Sequence, residues 1–233
     1  MKNIEEKKAE EKHEERKSGW KNVFISFVII FLIVFAYAVL RYNVFKGVPI
    51  AQVPLYIMNK VFALVSVVLI GLSFAIGPVC RFSKKFVSKL YLRKYFGLLG
   101  FGVASLHGLI SLLLFNSAYY PKFFAEGGKL TMEGELSMLF GVLALFIFAI
   151  VSVTSVPSVE KGLHEKQWKF IQRIGYVAYV LVLLHVTVMG FVGWLKPSDW
   201  PGGLYPISMI TFVIIAIVLL IRLIVAVFPK HKI

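Results

Sequence analysis

Two histidines stand in the middle of apolar stretches: His107 in GLLGFGVASLHGLISLLLF and His185 in GYVAYVLVLLHVTVMGF. Both stretches are long enough to cross a bilayer, where an ionisable side chain is costly and marks a functional site by default. A neutral imidazole is a strong metal ligand, and two of them can grip a haem iron from opposite sides. Zinc wants about four ligands, commonly with Cys or carboxylate, and such residues do not lie near the pair. A proton relay draws on buried Asp or Glu, and the apolar runs hold none. The plain alternative is a pair of unrelated hydrogen bonds between helices.

Those histidines need elements to carry them. Six apolar runs, at about 22–40, 55–79, 96–115, 136–156, 174–195 and 206–228, reach or approach the roughly 20 residues that span a hydrocarbon core. The chain of 233 residues is 58% hydrophobic and only 16% charged, with a mean hydropathy of +0.79. This predicts an all-α membrane protein, a six-transmembrane-helix bundle. Residues 1–21 form a charged tail, 22–228 the six-helix domain and 229–233 a basic tail. No stretch is left over for a soluble catalytic domain, which needs roughly 100 residues.

The net charge of +14 is a matter of topology rather than of nucleic acid. In a six-span arrangement 20 of the 26 Lys and Arg fall on one side, within 1–21, 81–94, 161–173 and 222–232, and 6 on the other. The positive-inside rule then predicts both termini in the cytoplasm, in a multi-pass cell membrane protein, most simply of the bacterial cytoplasmic membrane. The partner of the basic face is anionic lipid, with no nucleic acid. The tail MKNIEEKKAEEKHEERKSG alternates Glu and Lys with no apolar face and reads as a solvated helix or disordered tail. It is unlike the start of a cleaved signal peptide, so the first span is expected to be retained. His13 in that tail and His164 in the second basic connection read as solvated. Cys80 is the single cysteine and lies at a membrane border, where an inert thiol is expected. The loops 116–135, with Tyr119, Tyr120, Phe123 and Phe124, and 194–206, with Trp194 and Trp200, read as aromatic belts of the outer interface.

The third and fifth spans run in the same direction. His107 lies fourteen residues beyond Arg93, and His185 twelve beyond Arg173. At 1.5 Å per residue these are depths of roughly 21 and 18 Å, so the two rings are level within about a turn. Gly97, Gly100, Gly102 and Gly108 let either a flat macrocycle or a neighbouring helix come close.

The stretch YLRKYFGLLGFGVASLH resembles the third-helix motif of ferric reductase-like transmembrane proteins: a basic pair, Gly-Leu, then a span with His. FAIVSVTSVPSVEKGLHEKQWKFIQRIGYVAYVLVLLH resembles the family's passage from fourth to fifth helix. Among family members the motifs are most similar to the haem-binding membrane subunit of the bacterial methionine sulfoxide reductase system. The resemblance implies b-type haem between the third and fifth helices. Two-haem members carry two histidines per helix, 13 or 14 residues apart. Here His107 and His185 match the outer pair, while Arg93 and Gln172 stand at the inner positions. The implied cofactor is therefore one haem b, with His107 and His185 as axial ligands of its iron, as in single-haem metalloreductases.

By the same resemblance FMN or FAD is expected at the cytoplasmic side. Arg93, Lys94, Lys169 and Arg173 are candidates for its phosphate, Trp168 for stacking on its ring, and Gln172 for an inner-site contact. Headgroup anchoring is the simpler role for all of these. The sequence thus supports the membrane haem subunit of an oxidoreductase. Its donor would be cytoplasmic flavin, a reductase or quinol, and its acceptor a protein or small oxidant such as ferric iron on the outer face. No Gly-rich fingerprint for NAD(P)H is present. The competing class is a cofactor-free helical membrane protein, an assembly factor or small transporter.

Overall fold

In the computed structural model, which describes residues 2–228, with side chains from Ser18 onward except that of Lys84, six helical segments are long and apolar enough to cross a membrane. They contain α1 (Lys2–Val39), α2 (Met58–Phe82), α3 (Leu92–Leu113), α4 (Met132–Val153), α6 (Glu165–Trp194) and α7 (Ile207–Val227), with the single-turn α5 (Pro157–Glu160) between α4 and α6. The protein is an all-α, six-helix, multi-pass membrane bundle. The basic segment 229–233 and the side chains of the tail before Ser18, His13 included, lie outside the described residues. The tail's backbone continues without a break into the first span, so the boundary expected near residue 21 is one of composition, not of structure.

Helix packing explains the layout. α2 lies at the centre: 61% of its most apolar stretch is buried, against 17–22% in the other spans. It packs on α1, α3 and α7. α3 packs on α4, α4 on α6, and α6 on α7. The helices α2, α3, α4, α6 and α7 therefore close a ring, with α1 against its outside. Large apolar side chains face outward, among them Ile33, Phe146 and Leu223. In lipid that costs nothing, because hydrocarbon is as apolar as the side chains themselves.

Local sequence sets the ends of the elements. Beyond Val39 the first span finishes in a wide turn, Leu40–Phe45, and a matching wide turn, Val53–Ile57, leads into α2. Gly47, at φ 72°, makes the reversal between them, a conformation glycine adopts without steric cost. The hydroxyl of Thr131 accepts the Gly134 N–H at the start of α4, and Glu133 and Glu135 sit at its positive end, as helix caps and dipoles favour. The fourth span stops at Val153, before Thr154 turns the chain, and Pro157 opens α5 at its first position, where its missing N–H is not needed. Trp20 meets Tyr95 edge-on at 5.1 Å, which places the start of the first span at the same end of the bundle as the start of α3.

Candidate functional site

His107 sits six residues before the end of α3 and His185 nine before the end of α6. Both are therefore in the half of the bundle next to the 114–131 loop. The two imidazoles are near enough to interact electrostatically. Yet α3 and α6 share no packed interface among the described residues; they stand across the ring from each other.

Among the described residues each imidazole is held by one nitrogen only. Nδ1 of His107 is 2.7 Å from Asn59 Oδ1 and 3.1 Å from the Asn59 carbonyl oxygen. Nδ1 of His185 is 2.8 Å from the Ser137 carbonyl oxygen, with the Ser137 hydroxyl at 3.2 Å. A carbonyl oxygen only accepts, so Nδ1 carries the proton in both rings and the lone pair is on Nε2. This is the tautomer a metal-binding imidazole needs, and the orienting partner on its other nitrogen is the usual accompaniment. Each partner sits 48 residues before its histidine, Asn59 on α2 and Ser137 on α4. The orienting groups come from the helices flanking α3 and α6. Gly141, one turn along α4 from Ser137, makes room for the His185 ring: a Cβ there would lie 3.2 Å from Nδ1 and 3.3 Å from Cε1.

The donor set fits haem. Among the described residues no three His, Cys, Asp or Glu side chains come together as a metal site. Two imidazole nitrogens from opposed helices are what a porphyrin iron asks of the protein, since the macrocycle supplies the other four ligands.

The four glycines of α3 do not open a slot for a flat ligand. A Cβ on Gly100 would lie 2.7 Å from Ile70 Cγ1, one on Gly97 3.2 Å from the Ser73 hydroxyl, and one on Gly108 3.0 Å from Leu145. These three bring helices together. Gly102 lies on the same outward stripe as Leu106, Leu109 and Leu113. Close helix packing therefore accounts for three of the four.

At the basic end the six further candidates do separate jobs. Nε of Arg93 donates to the Ser73 carbonyl at 3.1 Å, and the Ser73 hydroxyl donates back to the Arg93 carbonyl at 2.7 Å. Lys94 pairs with Glu160 of α5 at 2.8 Å, and Lys169 pairs with Glu165. Gln172 donates to the Val151 carbonyl at 3.2 Å and to Ser155 at 3.1 Å, so its amide satisfies the C-terminal end of α4. Arg173 is exposed. Trp168 differs: its indole N–H is buried with no hydrogen-bond partner among the described residues. Two of the cations proposed for a phosphate are thus already neutralised, and the residues at the two inner-ligand positions are committed to helix–helix contacts. His164 is exposed, as expected, and is the N-cap of α6, with its backbone N–H donating to Gln167 at 3.2 Å.

The half of the bundle below the histidines is filled by aromatic rings. Phe74 of α2 stacks on Tyr176 of α6 at 4.4 Å and meets Tyr179 edge-on at 5.4 Å. The Tyr179 hydroxyl donates to the Val67 carbonyl at 3.0 Å, and the Arg222 guanidinium lies 5.3 Å from the Tyr176 ring. At the other end Lys60 lies over Tyr56 at 4.4 Å and Tyr42 at 5.3 Å. Arg41 is buried beside Tyr42, with Nε and Nη1 unpartnered among the described residues.

Sequence reasoning missed Asn59, Ser137 and Gly141. A lone Asn near a helix end, or a Ser or Gly within a span, carries no periodic signal, and only the folded ring aligns them with the histidines.

Comparison with known proteins assigns the chain to a membrane family. The family described as ferric reductase like transmembrane component matches residues 61–183, a stretch that begins just after Asn59 and holds His107. Metalloreductase STEAP2 of Mus musculus and of Homo sapiens is each 28% identical over 167 residues, covering 60% of this chain and 34% of the relative. Metalloreductase STEAP3 of Rattus norvegicus is 27% identical over 198 residues, covering 73% of this chain and 41% of the relative. The chain thus spans about a third to two fifths of the length of these relatives. The chain belongs to the ferric reductase-like transmembrane family.

Proposed function

We propose that the protein carries one b-type haem between His107 and His185 and passes single electrons across the membrane through it. The observation that carries this reading is the pair of Nε2 lone pairs, each fixed by a carbonyl bond at Nδ1, on helices that face each other without packing together. A haem bound there would supply a one-electron iron couple, the chemistry belonging to the cofactor and the positioning to the protein. His107 and His185 bind; Asn59 and Ser137 orient the rings; the surrounding apolar helices keep water out.

A single haem is favoured by the inner half. Arg93 and Gln172 occupy the inner-ligand positions, and the Phe74–Tyr176 stack fills the space between α2 and α6. Electrons are proposed to enter at the basic end, taken as cytoplasmic, from FMN, FAD, a reductase or a quinol. The unpartnered buried indole N–H of Trp168 supports a ligand at that end. They leave at the end bearing the 114–131 loop. The relatives are named as metalloreductases, so a metal ion is the proposed acceptor. The cations Arg41 and Lys60, without a carboxylate partner among the described residues, favour delivery of that metal as an anionic complex. The relation to the methionine sulfoxide reductase subunit rests on motif resemblance alone.

The test is a reduced-minus-oxidised spectrum of the purified full chain with haem quantified. About one b-type haem per chain is expected. A chain purified from haem-replete cells without a Soret band would overturn the reading in favour of a cofactor-free membrane protein.

A further inference from the structure

We propose that Asn59 is a positioning residue that sets the electronic character of His107, and that Tyr120 links it to the outer loop 114–131. This rests on the haem reading above. Asn59 is 2% exposed, and its amide has partners on both sides. Nδ2 donates to the Ser111 hydroxyl at 3.0 Å and to the Tyr120 hydroxyl at 3.2 Å. With the nitrogen so used, Oδ1 faces His107 and accepts its Nδ1–H at 2.7 Å. One side chain from α2 thus joins a ligand on α3 to a tyrosine on the loop.

The two ligands are held differently. His185 leans on a main-chain oxygen of α4, which the helix itself fixes. His107 has a main-chain contact too, but its shortest bond is to a side chain whose other end is on a loop. Tyr120 is stacked on Phe123 at 5.6 Å with the rings nearly parallel. Phe123 is buried, and its carbonyl accepts the Thr131 N–H at 2.9 Å. The neighbouring Lys122 donates to the Met189 carbonyl of α6. The loop is therefore tied to α2 through Asn59 and to α6 through Met189.

The sign follows from hydrogen-bond polarity. A stronger acceptor at Nδ1 makes the imidazole a more basic ligand, which favours ferric over ferrous iron. Donation from Asn59 to Tyr120 polarises the amide and strengthens its oxygen as an acceptor. Removing either group weakens the bond at Nδ1 and raises the midpoint potential.

The experiment is a redox titration of the purified, haem-loaded full chain, with electron paramagnetic resonance of the ferric state. Asn59→Leu is expected to shift the reduced-to-oxidised ratio at fixed potential about tenfold toward reduced, or about 59 mV for a one-electron couple. Tyr120→Phe shifts it the same way by less, and both change the ferric g-values. Tyr119→Phe, on the same loop without a bond to Asn59, leaves both unmoved. Should Asn59→Leu fail to accumulate, Tyr120→Phe alone decides. A haem-loaded Tyr120→Phe protein with the wild-type potential and spectrum overturns the inference while leaving the haem reading intact. A wild-type chain without haem overturns the haem reading itself.

Discussion

Gly141 gives the sharpest test of how closely the protein shapes the site. A Cβ at this position would sit 3.2 Å from His185 Nδ1 and 3.3 Å from Cε1, inside ordinary van der Waals contact. In Gly141→Ala the ring must yield by a few tenths of an ångström. The Nδ1 bond to the Ser137 carbonyl, 2.8 Å in the native chain, survives in strained form. Haem content is then expected to stay near wild type, with a shifted low-spin spectrum. In Gly141→Val the two further methyl groups reach into the ring itself, and the bond to Ser137 breaks. Leaving a buried donor unpaired costs about 1–3 kcal/mol, which is roughly a 5- to 150-fold loss of haem affinity. The assay is haem titration of the apo-protein in detergent, read at the Soret band, with circular dichroism to check the fold. A folded Gly141→Val protein that binds haem as tightly as wild type, with the same spectrum, would refute the claim that Gly141 and Ser137 together set the ring of His185.

Three other outcomes follow from the same geometry. His107→Ala and His185→Ala each abolish the haem signal while His164→Ala, at the N-cap of α6, keeps it, as pyridine haemochrome assays of the purified variants would show. The double variant Arg93→His/Gln172→His still holds about one haem per chain, because the Phe74–Tyr176 stack occupies the inner half; a second haem would show that this packing yields. Tyr179→Phe keeps the haem but removes the hydroxyl bonded to the Val67 carbonyl, lowering stability by about 1 kcal/mol in thermal melts, and an unchanged melt would mean that bond contributes nothing.

Hydropathy alone revealed the class of fold and singled out two histidines. Long apolar runs have one stable form in lipid, the helix that satisfies its own backbone, so six spans could be counted without any knowledge of contacts. His107 and His185 stood out because an ionisable group in such a run is rare and costly. The equal rise of two parallel helices even placed them at one level. What only the tertiary structure decided is everything that depends on which helix faces which. Asn59 and Ser137 become orienting groups because α2 flanks α3 and α4 flanks α6. Gly97, Gly100 and Gly108 turn out to serve helix contact. Lys94 and Lys169, basic in the sequence, are neutralised by Glu160 and Glu165 across the fold and along the helix. The physical reason is that hydropathy is read one segment at a time, whereas a ligand's tautomer, a glycine's neighbour and a lysine's free charge are properties of pairs that only the closed ring of helices brings together.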